Sequence, residues 1–187
     1  MHSLPYQERK SPAFTLIELL VSITILGILA VVVLGGFRSS QMRSRDAKRK
    51  SDLKQIANAL EMFYSDKGFY PPSTADGRIR ACPYYAPPDT PIVCNWGSID
   101  YTSEFKDASS GVIYFKSLPK DPSGFSYYYR LTNDGKGFQL YAHLENDQDQ
   151  NCIDSNCSMV SGLPSGVSCS GVCNFAITSA NVTAKTN

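Results

Sequence analysis

The sequence has 187 residues, 18 Lys+Arg against 17 Asp+Glu for a formal net charge of +1, and 42% hydrophobic residues. Near-neutrality excludes a uniformly basic nucleic-acid binder and an acidic disordered chain, and the length suits one compact domain plus an additional element. Six cysteines, all in the second half and accompanied by only two histidines, point to disulfides in an oxidising compartment and therefore to an exported protein.

In chain order, the first informative segment is the uncharged run from Leu19 to Phe37. As a helix it is just long enough to cross a hydrocarbon core. Arg9 and Lys10 precede it, and a basic cluster (Arg38, Arg43, Arg45, Lys48, Arg49, Lys50, Lys54) follows. A cleaved secretory signal would have a core of roughly 7–15 apolar residues closed by small residues. Here the core is longer and no A-x-A precedes the charges. A simple membrane anchor fits the length but leaves Glu18 unexplained, since a carboxylate at the edge of an apolar span is costly.

The run Ser11-Pro12-Ala13-Phe14-Thr15-Leu16-Ile17-Glu18-Leu19-Leu20 resembles the class III signal of type IV pilins and type II secretion pseudopilins. That resemblance implies a leader over residues 1–13, cleavage between Ala13 and Phe14, and N-methylation of Phe14 by a prepilin peptidase/methyltransferase. It also implies an assembly role for Glu18, as partner of the new N-terminal amine in a neighbouring subunit. Ala13 departs from the glycine usual before the scissile bond. Loss of the leader would leave the mature chain neutral.

No proline interrupts Phe14 to Tyr70. Leu53, Ile56, Leu60 and Phe63 fall on one helical stripe, and Asp66-Lys67-Gly68 followed by Pro71-Pro72 is a stop signal. The expected helix therefore has a transmembrane and polymerisation half over 14–37 and an amphipathic half over 38–66. Gly27, Gly35 and Gly36 read as small-residue packing of a membrane helix or as points of local melting in a filament. The basic cluster, offset by Asp46 and Asp52, reads as a solvated face or lipid-headgroup contact, with pairing between subunits as the alternative. Nucleic-acid binding lacks support, because no aromatic platform or recognition helix accompanies these charges.

Residues 67–117 form a loop-rich connection. Residues 118–145 read as an antiparallel hairpin, with Tyr127, Tyr129 and Leu131 on one face and Phe138, Leu140, Ala142 and Leu144 on that of its partner, turning at 133–136. Leu118-Pro119-Lys120-Asp121-Pro122 with the following tyrosine strand resembles the head of the major pseudopilin and of several simple pilins. Residues 146–187 form a cysteine-rich tail.

Asn146, Asp147, Asp149 and Asp154 suit a hard cation; the calcium site of major pseudopilins makes Ca2+ the candidate, an acidic surface turn the alternative. Otherwise no cofactor is required. Cys152-x4-Cys157 and Cys169-x3-Cys173 lack zinc spacing. Three disulfides among Cys82, Cys94, Cys152, Cys157, Cys169 and Cys173 are expected; fifteen connectivities exist, and proximity favours Cys82 with Cys94 and the other four among themselves. No catalytic constellation is present, so no enzymic activity is expected.

The fold class read from these elements is α+β and pilin-like, a long helix on a small antiparallel sheet. The function read is a structural subunit of a type IV pilus or related filament. The alternatives are a type II secretion pseudopilin, a minor pilin for DNA uptake or adhesion, and a monomeric membrane-tethered binding protein. The subunit would lie in the bacterial cytoplasmic membrane with its head outside the cytoplasm, then in an extracellular pilus or periplasmic pseudopilus. Its expected partners are the peptidase, further copies of itself, the inner-membrane assembly machinery of a pilus or secretion system, and the lipid bilayer.

Overall fold

A 52-residue helix, α1 (Leu16–Lys67), is the first element of the fold. The computed structural model describes residues 14–85, 87, 89–98, 104–132, 135–154, 157–158 and 160–185. The leader with Ala13, and Asn133-Asp134 of the expected turn, lie outside these. Two units are distinguished, one ending at Gln41 and one beginning at Met42.

In the first unit α1 is long and apolar enough to cross a membrane, and Leu16, Ile17, Leu19, Ile23, Leu26 and Ile28 are exposed. In the second unit α1 becomes amphipathic. Leu53, Ile56, Leu60 and Phe63 are fully buried, whereas Lys54, Asn58 and Glu61 face solvent. The helix ends at Gly68, whose φ of 78° lets its N–H reach the Tyr64 carbonyl at 2.8 Å. Glycine adopts that left-handed cap without a Cβ penalty.

Five short strands follow: β1 (Phe105–Lys106), β2 (Ile113–Phe115), β3 (Tyr128–Leu131), β4 (Phe138–Ala142) and β5 (Phe175–Thr178). β1 and β2 pair as a small antiparallel ladder, and β3-β4-β5 form a three-stranded antiparallel sheet. The expected hairpin is β3–β4, with Leu131 opposite Phe138. Its alternation follows the sequence pattern: Tyr127, Tyr129, Phe138, Leu140, Ala142 and Leu144 join Leu53, Ile56, Leu60 and Phe63 in one core.

β4 is buried on both faces. The second face packs Tyr128 and Tyr141 against Cys169 and Cys173 of the tail, together with Leu163 and Val167. The tail also supplies β5, a strand the hairpin reading did not anticipate, and β1–β2 lie in the region read as loop. Each hydroxyl of the Tyr127-Tyr128-Tyr129 run has an acceptor, on Asp52, Ala75 O and Pro71 O respectively.

The free edge of β3 is covered by the 71–79 segment, where Tyr129 N–H donates to Gly77 O at 2.8 Å. Gly77 has φ 79°, and a Cβ there would lie 2.2 Å from Cδ2 of Tyr128, so this approach needs glycine. At the end of α1, Phe63 meets Tyr84, Phe105 and Tyr114 at centroid distances of 5.2, 5.4 and 5.3 Å. These aromatic pairs dock the connecting region onto the helix.

The cysteines form Cys82–Cys94, Cys152–Cys157 and Cys169–Cys173. Their sequence separations are 12, 5 and 4. Loop entropy makes the first crosslink the strongest constraint on the unfolded chain. Replacing Cys82 and Cys94 by alanine should therefore destabilise the detergent-solubilised protein more than replacing Cys152 and Cys157. Loop entropy alone sets the difference at about 0.8 kcal/mol. The reverse order of urea midpoints would refute that account.

Candidate functional site

Two places concentrate chemistry, one in each unit. In the first unit, Thr15 immediately precedes α1. Its Oγ1 accepts the Glu18 N–H at 3.3 Å, while Glu18 Oε2 accepts the Thr15 N–H at 3.2 Å and its hydroxyl at 3.1 Å. This is a reciprocal capping box, with the N-cap and the third helical residue each satisfying the other's orphan donor. The folded-back carboxylate is thereby held over the helix start, the positive end of the helix dipole. Phe14, one residue before the cap, is 81% exposed. The sequence pattern Thr-x-x-Glu encodes the box, so the local role of Glu18 was available from spacing alone.

In the second unit the centre is Arg49, which is fully buried. Its helical phase explains this: Arg49 precedes Leu53 by one turn, on the stripe that continues through Ile56, Leu60 and Phe63. Arg49 Nη1 donates to Asp46 Oδ1 at 2.6 Å, and Nε to Asp121 Oδ2 at 2.7 Å. Nη2 reaches Asp121 Oδ1 at 3.1 Å and Glu145 Oε1 at 2.7 Å, and also donates to Ser123 Oγ. The guanidinium carbon lies 5.5 Å from the Phe125 ring centroid.

The carboxylates are themselves tied down. Asp46 accepts the backbone N–H groups of Glu145 and Asn146, both at 2.9 Å. Glu145 also pairs with Arg45, through Nε at 2.8 Å and Nη2 at 2.5 Å. Lys50 Nζ donates to Asp149 Oδ2 at 2.5 Å. The network joins α1, the Asp121–Phe125 loop and the segment after β4.

Its electrostatics follow from geometry. Arg49 stays protonated because the hydrogen bonds and charges of Asp121, Glu145 and Asp46 outweigh the effect of burial. The Glu145 carboxyl falls to about 2, chiefly through the Arg45 hydrogen bond, against the opposing effect of burial. Asp121 is also lowered; burial raises it, and Arg49 and Ser123 more than reverse that. Asp52 goes the other way, raised by burial despite the Tyr127 hydroxyl. At the opposite end of α1, Lys67 donates to buried Asp107 at 2.8 Å.

The basic cluster is thus divided. Arg38, Arg43, Lys48 and Lys54 are exposed, as a solvated face requires, but Arg49 is buried, and Arg45 and Lys50 sit half-buried in ion pairs. The proposed calcium donors do not converge. Asp149 serves Lys50, Asp154 pairs with Lys185 at 2.6 Å, Asn146 Oδ1 accepts from Gln148 N–H, and Asp147 is exposed. Among the described residues no group of three His, Cys, Asp or Glu side chains is arranged to hold a metal ion.

Comparison with known proteins adds the following. A family model described as the prokaryotic N-terminal methylation motif matches residues 9–34. The type II secretion system core protein G of Pseudomonas aeruginosa is 37% identical over 116 residues, 62% of this chain and 70% of that relative. The core protein G of Vibrio cholerae is 32% identical over 114 residues, 61% of this chain and 66% of that protein. The type IV major pilin protein PilA of Myxococcus xanthus is 38% identical over 61 residues, 33% of this chain and 28% of that protein. No solved structure matches significantly.

Removing Arg49 while leaving its carboxylates should be costly, because a broken buried network strands charge. Arg49→Met is expected to lose about 3–5 kcal/mol of unfolding free energy, and a loss below about 1 kcal/mol would show the network to be dispensable. Glu145 gives the pH signature. Its folded pKa of about 2 lies below the ordinary 4.5, so its contribution is present above about pH 4.5 and lost as pH falls towards 2. Glu145→Gln should flatten that acid limb in a melting-temperature profile, and an unchanged limb would contradict this assignment.

Proposed function

The chain belongs to the family of type IV pilins and type II secretion pseudopilins, and on that premise we propose how it is processed, anchored and assembled. It is a structural filament subunit with a membrane anchor. The observation that carries the mechanism is the Thr15–Glu18 box at the head of an exposed apolar helix.

The leader keeps Arg9 and Lys10 on the cytoplasmic side, as the positive-inside tendency requires. A prepilin peptidase cuts between Ala13 and Phe14 at that face, and the new Phe14 amine is methylated. The amine then lies one residue before the cap and carries a positive charge that needs a partner away from water. The Glu18 carboxylate, folded back over the helix start, suits that charge on its own chain or on a neighbour. An apolar helix whose side chains are exposed in one subunit can satisfy them first in the bilayer and then against other copies. The partners are the peptidase, the bilayer, further copies of this chain and the inner-membrane machinery that extracts subunits. Catalysis has no part in this role.

The filament we favour is a secretion-type pseudopilus, because the similarity to core protein G extends over 116 residues against 61 for the pilin PilA. The tail with two disulfides favours a second reading, a surface pilus exposed to an oxidising exterior. Electron microscopy of sheared cells separates the two, since only the surface pilus appears as abundant detached fibres.

N-terminal sequencing and mass analysis of the membrane form, expressed with a prepilin peptidase, should find N-methylated Phe14. A chain still beginning at Met1 would overturn the processing scheme. Glu18→Ala should leave cleavage nearly intact and abolish incorporation into filaments, and normal incorporation would remove the assembly role of Glu18.

A further inference from the structure

A polar cavity of about 460 Å³ opens in the second unit between α1 and the segment that follows β4. From α1 it takes Arg43, Ala47 and Lys50, spaced i, i+4 and i+7 and therefore on one helical face. From the segment after β4 it takes the carboxamides of Gln148, Gln150 and Asn151 and the carboxylate of Asp149. Among the described residues lining it, Ala47 contributes the only apolar side chain.

These polar groups divide into engaged and unengaged ones. Asp149 is committed to the Lys50 ammonium at 2.5 Å and to the backbone and side-chain N–H of Asn151 at 2.9 and 3.1 Å. Arg43 is exposed, and among the described residues no carboxylate pairs with it. The side-chain amides of Gln148 and Gln150 are likewise exposed and without a partner among the described residues.

We propose that this cavity binds the headgroup of a glycerol phosphodiester lipid, with Arg43 on the phosphate and Gln148 and Gln150 on the glycerol hydroxyls. The inference rests on the membrane anchor of the proposed function and adds a ligand class and its site. An unpaired guanidinium presents a planar donor fork that matches phosphate oxygens. A carboxamide both donates and accepts, which suits a hydroxyl that does the same. Lys50 and Asp149 neutralise each other, so one free cation in the wall meets one anionic group. No aromatic ring lines the wall to stack a base, and a single alanine offers little to an apolar ligand.

Access follows from chain length. Six residues separate Phe37, the last of the uncharged run, from Arg43. Even fully extended they span at most about 22 Å, so the anchored chain keeps the cavity close to the membrane surface.

The test is native mass spectrometry of the full chain in detergent, loaded with equal amounts of phosphatidylglycerol and phosphatidylmethanol. Both lipids carry the same phosphodiester charge, and only the first has headgroup hydroxyls. Phosphatidylglycerol should be retained about threefold or more over phosphatidylmethanol. Arg43→Gln should cut retention of both about tenfold. Gln148→Ala combined with Gln150→Ala should abolish the preference while leaving phosphatidylmethanol bound. Equal retention of the two lipids by the wild-type chain, or unchanged retention by Arg43→Gln, overturns the proposal.

Deacylated glycerophosphoglycerol separates a lipid from a soluble source of the same chemistry. At equal concentration it should leave the bound lipid in place, and displacement would overturn the lipid assignment in favour of a free phosphodiester. All three substituted side chains are exposed, so an unchanged melting temperature is expected of each variant. A wild-type chain recovered from the soluble fraction of cells would instead defeat the anchor, which keeps the two failures distinct.

Discussion

A guanidinium with no exposure to water sets the terms for the head. Moving an isolated cation of this size out of water costs several kcal/mol even after relaxation, so Arg49 is tolerable only while Asp46, Asp121 and Glu145 surround it. Each of those carboxylates sits on a different part of the chain. Asp46 is one turn earlier on α1, Asp121 is in the loop before β3, and Glu145 follows β4. Apolar packing is non-directional and would allow the sheet to slide along the helix. The planar donor fork of arginine does not, because its bidentate pair with Asp121 fixes both distance and angle. Lys67 with Asp107 adds a single-point ion pair towards the far end of the helix. The head is therefore registered at Arg49, tied again at Lys67, and filled between them by Leu53, Ile56, Leu60 and Phe63.

The other face of the sheet is solved differently. A three-stranded sheet with a helix on one side leaves Gln139 and Tyr141 of β4 pointing outward, yet both are fully buried. The tail covers them through polar contacts: Gln139 donates to Thr183 O at 2.8 Å, and the Tyr141 hydroxyl to Ala184 O at 2.6 Å. Asn174, also buried, accepts the Leu144 N–H and donates to the carbonyls of Leu144 and Cys157. A Ser/Gly/Asn-rich segment cannot bury enough apolar area to hold itself in place. Saturated hydrogen bonds and short disulfide loops supply what the hydrophobic effect does not.

What the sequence disclosed, and what it did not, follows from the same division. The apolar run, the stripe from Leu53 to Phe63 and the alternation of β3 and β4 are hydrophobic patterns with fixed periods, and each was legible. Arg49 was not, because charge was read as exposure. The helical phase placing Asp46 and Arg49 on the stripe of Leu53 was present, but overruling the usual exposure of arginine needs a partner 72 residues away. Asp121 lay within a motif noted only for its resemblance. Likewise the local spacing of Asp149 and Asp154 was visible, but not the lysines they meet, Lys50 of α1 and Lys185. β5 escaped because four residues bounded by cysteine-rich loop carry little period, and only pairing with β4 makes them a strand.

Glu18 was legible as an exception to hydropathy but its cap was not read, and that capping role explains why a carboxylate can sit where hydropathy forbids one. The start of any helix leaves amide donors unpaired, and in a hydrocarbon or packed setting each unpaired donor costs about as much as a lost buried hydrogen bond. A Thr15–Glu18 box satisfies two of those donors from within the chain, so the cost of Glu18 is offset before any partner arrives. In helix terms the acid is a local necessity, and its negative charge at the positive end of the dipole is favourable. The charge nevertheless remains uncompensated until a cation joins it. On the processing and assembly scheme proposed above, a helix that is locally capped but not electrically neutral would still gain by meeting an amine.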